Sequence, residues 1–97
     1  MPQVNRTDQA ELDLIDILVH LGRHSSAAAD RFAAEFERKC ELLAQFPALG
    51  EARDDLKPGV RSLVVGNYVL IYRPRNGGIE VLRVFRGGRH ITPRQIP

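Results

Sequence analysis

Residues 60–89 read VRSLVVGNYVLIYRPRNGGIEVLRVFRGGR. Three short apolar runs, at 63–65, 69–72 and 79–85, are rich in Val, Ile, Leu and aromatic residues, which suit a pleated, half-buried surface. They are separated by Gly66-Asn67 and by Asn76-Gly77-Gly78, residues that tolerate the positive φ of a tight hairpin. The stretch therefore predicts a three-stranded antiparallel meander. Strict alternation in the last strand would place Ile79, Val81, Arg83 and Phe85 on one face and Glu80, Leu82, Val84 and Arg86 on the other. Arg83, an arginine among apolar neighbours, is a candidate site residue, and a solvated sheet face accounts for the same pattern.

Ninety-seven residues, 43% of them apolar, suit one globular domain that buries roughly 60–70% of its unfolded surface. No apolar run approaches the ~20 residues of a membrane span, and the start MPQVNRTD lacks the apolar core of a signal peptide, so a cytoplasmic chain is expected. Cys40 is the single cysteine and sits in a helix-like apolar pattern, which reads as a buried thiol rather than a nucleophile.

The net charge of +2 hides an asymmetry. Residues 1–55 carry six basic side chains against eleven acidic ones, whereas residues 56–97 carry eight basic ones against Glu80 alone. Arg outnumbers Lys twelve to two, which favours planar, bidentate contacts with phosphate or carboxylate. The basic sheet half points to an anionic partner, nucleic acid or an acidic protein surface, or to neutralisation by the chain's own acidic helices.

Ahead of the meander the period changes. Val4 is the one strong strand former in residues 3–6, a short N-terminal strand at most. Thr7 or Asp8 starts a helix, with Asp8 and Glu11 at capping-box spacing. Ala10, Leu14, Ile17, Leu18 and Leu21 form its buried stripe, and Gly22 is the expected stop. His20 and His24 have i, i+4 spacing but no third metal ligand beside them. Ser25 or Ser26 caps a second helix whose stripe runs through Ala29, Phe32, Ala33, Phe36, Cys40, Leu43 and Ala44 until Phe46-Pro47 ends it. The expected organisation is a single domain over 1–97: a helical hairpin at about 8–46, a connecting loop at 47–59, the meander at 60–89 and a frayed or partner-dependent tail at 90–97. The class is α+β, with a short N-terminal strand and the hairpin packed on the three-stranded meander.

This order of elements, together with particular residues, resembles the RelE/ParE superfamily of toxins from bacterial toxin–antitoxin pairs. The resemblance rests on AELDLI at 10–15, on Ala29 and Phe32, and on Pro47, Gly50, Arg53 and Leu56. It continues through Arg61, Gly66, Tyr68, Ile71, Tyr72, Arg83-Val84 and Gly88-Arg89, and is closer to the ParE branch than to RelE. It implies a cytoplasmic type II toxin that arrests growth, serves plasmid stabilisation, and forms a hetero-oligomer with a small antitoxin encoded beside it. Leu12, Ile15 and Val19, apolar residues off the main stripe, are the candidate antitoxin-binding surface; a wide stripe that simply buries them is the alternative.

The two branches imply different mechanisms. A ParE-like toxin poisons DNA gyrase without catalysis, and its target-binding candidates here are Arg73, Arg75, Arg86, Arg89 and Arg94. A RelE-like toxin is a ribonuclease that cuts mRNA on the ribosome, and needs an acid, a base and positive charge for the transition state. Arg61, Arg83 and His90 are the candidates for that chemistry, with Lys57 as a further cation. Two lysines in all and no tyrosine after Tyr72 depart from the RelE pattern, so the gyrase reading is favoured. A third possibility is an inactive relative acting as a binding module. None of these readings calls for a cofactor, a metal or a membrane.

Overall fold

The computed structural model describes residues 2–87 and 89–97; Gly88, one of the residues that carry the resemblance, lies outside them. The chain runs β1 (Gln3–Arg6), α1 (Asp8–His24), α2 (Ser26–Gln45), β2 (Glu51–Ala52), β3 (Arg61–Val65), β4 (Tyr68–Arg75), β5 (Gly78–Arg86) and a final 3-10 turn, Pro93–Gln95.

Caps decide the helix ends. Thr7 Oγ1 accepts from Ala10 N (3.1 Å) and donates to Leu82 O (2.8 Å), so the residue that starts α1 also ties it to β5. Glu11 does not close a capping box; it pairs with Arg6 Nε at 3.0 Å instead. The helix passes through Gly22, the expected stop, to His24. Ser25 explains this, because its N–H caps Leu21 O (2.9 Å) while its Oγ accepts from Ala28 N (3.1 Å) to open α2. One residue thus joins the two helices. A glycine in the last turn costs α1 only about 1 kcal/mol against that double cap.

The sheet has five strands in the order β1-β5-β4-β3-β2, two more than the meander alone. β1 lies parallel to β5, with Val4 opposite Ile79, and β2 adds two residues to the edge of β3, opposite Arg61 and Ser62. Both additions are too short to show a period in the sequence. The class remains α+β, as expected.

A bulge changes the faces of β5. Ile71 faces Arg83 and Tyr72 faces Val81, so Leu82 is an extra residue. Val81 and Val84 therefore both enter the cluster under the helices, with Ala10, Leu14, Phe36, Leu43 and Tyr72. Leu82 and Phe85 both enter a second cluster on the opposite face, with Leu56, Val60, Ile71 and Ile96. The strict alternation expected from the sequence holds only as far as Leu82.

The second cluster also orders the tail, expected to be frayed. Ile96 is only 3% exposed, Lys57 Nζ donates to Ile96 O (2.8 Å), and Thr92 N donates to Gln95 Oε1 (2.9 Å). An apolar anchor and a local turn hold residues that composition alone leaves loose.

Candidate functional site

The basic half of the chain separates into held and unheld cations. Arg61 on β3 donates to Gly50 O (2.7 Å) and Ala48 O (3.2 Å) of the connecting loop. Arg83 grips Asp13 of α1 through Nε (2.7 Å) and Nη2 (3.0 Å), donates from Nη1 to Gln95 O (3.0 Å), and lies over the Phe85 ring, 4.6 Å from its centroid. Arg73 and Arg75 share Glu80, each with a contact of 2.8 Å. These last pairs are exposed, so they contribute at most about 1 kcal/mol each and yield readily to an external anion. Among the described residues, Arg86, Arg89 and Arg94 have no carboxylate partner.

The five arginines grouped as target-binding candidates thus do not form one patch. Arg73 and Arg75 lie at the Asn76-Gly77 end of the β4–β5 hairpin, while Arg86 lies opposite Tyr68 at the other end. The eight residues of β4 separate the two groups by roughly 23 Å at 3.3 Å per residue. Arg89 follows Arg86 beyond β5, and Arg94 projects from the final turn.

Arg61, Arg83 and His90 are not brought together as a catalytic set. Arg61 pairs across the sheet with Tyr72 and Arg83 with Ile71, neighbours on β4 whose side chains enter different clusters. The two guanidiniums therefore leave opposite faces of the sheet, each already occupied by acceptors, and His90 is exposed beyond β5. Lys57 is occupied by Ile96 O. Among the described residues no group of three or more His, Cys, Asp or Glu is placed to hold a metal. His20 and His24 are stacked edge to face at 5.1 Å on exposed helix surface.

Around Arg86 the structure builds a cleft. His20 and Leu21 of α1, Val64 of β3, the Gly66-Asn67 turn, Tyr68, Val69, Arg86 and Gly87 line a volume of about 590 Å³. A smaller recess of about 200 Å³ continues from it, sharing His20, Tyr68 and Arg86 and adding Asp16, Ile17 and Arg89. Asp16 and His20 were missed as site residues in the sequence. Their i, i+4 spacing beside the main stripe was a signal, but the strands they face are distant in the chain.

The other flank of α1 is apolar. Leu12, Ile15 and Val19 are 55%, 55% and 49% exposed, so the buried stripe does not take them in. Their i, i+3, i+7 spacing makes one ridge on the helix. Beside it, Ile15, Leu14, Leu18, Phe32, Ala33 and Phe36 line a groove of about 150 Å³ between the helices, rimmed by Arg6, Glu11 and Glu37.

Burial also settles the polar groups of the core. The Cys40 thiol is pushed up to about 12, first by desolvation and then by the charge of Glu37, so it is protonated and inert as a nucleophile. Tyr72 is likewise raised by burial, and its hydroxyl donates to Pro47 O (2.7 Å) while accepting from Gly50 N (2.9 Å).

No helix of the structure is long and apolar enough to cross a membrane, among the described residues. Residues 4–91 match the family model described as ParE toxin of type II toxin-antitoxin system, parDE. Toxin ParE3 of Caulobacter vibrioides is 35% identical over 68 residues, covering 70% of this chain and 64% of that relative. Toxin ParE1 of Mycobacterium tuberculosis is 35% identical over 57 residues, 58% of each chain. The chain thus spans about three fifths of the length of these two relatives. Among solved structures, a chromosomal ParDE TA system from P. aeruginosa superposes with a TM-score of 0.72 at 24% identity, covering 90% of this chain and 97% of that one. With the hairpin-on-sheet fold and a family match over nearly its whole length, the chain belongs to the ParE toxin family of type II toxin–antitoxin systems.

Proposed function

We propose that this chain is a cytoplasmic, growth-arresting toxin that acts on DNA gyrase engaged with DNA and is neutralised by a cognate antitoxin. The observation that carries the reading is the distribution of cations within a ParE-family fold. The candidate ribonuclease groups Arg61 and Arg83 are occupied on opposite faces of the sheet, so Arg61, Arg83 and His90 are not assembled as an acid–base set among the described residues. Arg86 and Arg89, by contrast, border an open cleft with no carboxylate partner among the described residues, and Arg73, Arg75 and Arg94 supply further exposed contacts. A poison needs such a surface, since it acts by stabilising an existing protein–DNA intermediate rather than by breaking bonds.

The antitoxin segment lies against Leu12, Ile15 and Val19 in this reading. An amphipathic helix with apolar anchors fits the ridge and the neighbouring groove between the helices. Asp16 and His20 lie on the same helix, facing the Arg86 cleft, so a partner on the ridge borders the target surface. Neutralisation then follows from occlusion of α1.

The test uses purified gyrase and supercoiled plasmid with the full chain, and in parallel measures translation after controlled expression. The expected result is accumulation of gyrase-cleaved DNA, suppressed by the antitoxin, with translation initially intact. Immediate translation arrest with cut messages overturns the reading in favour of a ribonuclease. Absence of growth arrest by a well-folded chain assigns it to an inactive binding module.

A further inference from the structure

We propose that the cleft between the C-terminal half of α1 and the β3–β4 turn is a binding site for a nucleic-acid phosphodiester backbone, contacted by Arg86, Arg89 and His20. This rests on Arg86 and Arg89 facing the target, and names the chemistry they take; it does not require that the target be gyrase.

The cleft and its recess converge on His20 and Arg86 from two elements far apart in sequence, and Arg89 closes one side. Arg86 and Arg89 differ from the arginines elsewhere on the sheet in keeping their full donor forks for a ligand, among the described residues. A guanidinium fork matches the two free oxygens of a phosphodiester. Gly66 and Gly87 add no side chains to the wall of this open cleft, so a backbone can run past them. Among the described residues Asp16 is the one carboxylate that lines the recess, and no ion pair ties it to either arginine, so both forks stay free for an incoming phosphate.

The same walls offer no tyrosine for base stacking. Tyr68 is only 9% exposed and stands edge to face against Phe32, with ring centroids 5.0 Å apart, so it offers no stacking platform. Binding through phosphates alone is independent of sequence and strongly dependent on salt. An acidic protein segment is the competing occupant. Leu21, Val64 and Val69 in the cleft wall would serve such a segment as apolar contacts, so the competition arm of the experiment below separates the two occupants.

The experiment measures fluorescence anisotropy of two labelled 20-base-pair duplexes of unrelated sequence with the full chain, from low to moderate salt. Wild type is expected to bind both duplexes within about twofold, with affinity falling steeply as salt rises. Arg86→Gln and Arg89→Gln should each weaken binding about five- to tenfold near 0.1 M salt and flatten the logarithmic salt slope by about 1. His20→Gln should weaken it less, and Arg38→Gln, an exposed cation of α2 outside the cleft, should leave it unchanged. Unfolding curves confirm that these exposed substitutions keep the fold.

Wild-type failure to bind duplex at low salt overturns the site, as does wild-type affinity in Arg86→Gln and Arg89→Gln. Displacement of DNA by a polyglutamate peptide at equal charge concentration overturns it in favour of an acidic protein. Because gyrase is absent from this assay, its failure leaves the cleavage test above untouched, and a negative cleavage test leaves the duplex measurement standing.

Discussion

Asp13 and Arg83, separated by 70 residues in sequence, form the junction of α1, β5 and the C-terminal turn. The carboxylate takes both Nε and Nη2 of the guanidinium and also accepts from Val84 N at 2.9 Å, beyond the point where β1 stops pairing with β5. It thus finishes the sheet edge that β1 leaves open. Both side chains are mostly buried, at 14% and 19% exposure, so the pair is shielded from solvent screening.

Removing either partner should therefore be costly. Asp13→Ala leaves a mostly buried guanidinium without its counter-charge, held only by Gln95 O, and the Val84 N–H without an acceptor, and a loss of about 3 kcal/mol or more is expected. Asp13→Asn keeps an acceptor for Val84 N and should cost less. Urea unfolding of Asp13→Ala, Arg83→Ala and the double variant should show a coupling of about 1–3 kcal/mol. Additive single costs would show that the contact carries no shared energy.

Gly50 is required by the approach of Tyr72. A Cβ on Gly50 would stand 2.5 Å from Tyr72 Oη and 2.7 Å from Ser62 O. Gly50→Ala is expected to lose about 1–3 kcal/mol through this overpacking. Tyr72→Phe should lose about 1–2 kcal/mol by leaving Gly50 N without its acceptor. Combining the two should not rescue the alanine, because Ser62 O stays in place. Full rescue in thermal melts would contradict this geometry.

The buried thiol of Cys40 should be silent in the native state. Its folded value is raised from an ordinary 9.0 to about 12, so the folded chain holds the proton more tightly than the unfolded one. The corresponding stability is fully present below pH 9 and is lost as pH rises from about 9 to about 12. Alkylation at pH 8 should be slow and should accelerate sharply in denaturant. Rapid native labelling would place the thiol outside the core.

The α1 ridge offers a separation of binding from stability. Leu12→Ser and Ile15→Ser replace exposed side chains, so unfolding should shift by less than about 0.5 kcal/mol. Antitoxin affinity should fall by roughly 10–100-fold for each, the equivalent of about 1.5–3 kcal/mol of buried apolar side chain. Calorimetric titration of the antitoxin into each variant gives the answer, and unchanged affinity would move the interface off this ridge.

The sequence carried most of what depends on neighbours along the chain, though not the passage of α1 through Gly22 to the Ser25 cap. The meander was legible because Gly66-Asn67 and Asn76-Gly77-Gly78 punctuate apolar runs, and the hairpin because its stripes keep the helical period up to Phe46-Pro47. Even the ordering of the tail had a sign in Ile91 and Ile96, although nothing local says which face they cover. What only the folded chain decided is nonlocal. The bulge at Leu82 leaves no mark on a strand that is apolar on both faces, yet it sends Val84 and Phe85 to the sides opposite those expected. Arginine composition raised the expectation of an anionic partner, but did not say which arginines stay unpaired for one. That depends on where Asp13, Glu80 and the carbonyls of the connecting loop come to rest: charge pairing acts through a few ångströms of space, whatever the separation in sequence, so Arg86 and Arg89 are distinguished from Arg61, Arg73, Arg75 and Arg83 only when the chain has closed around them.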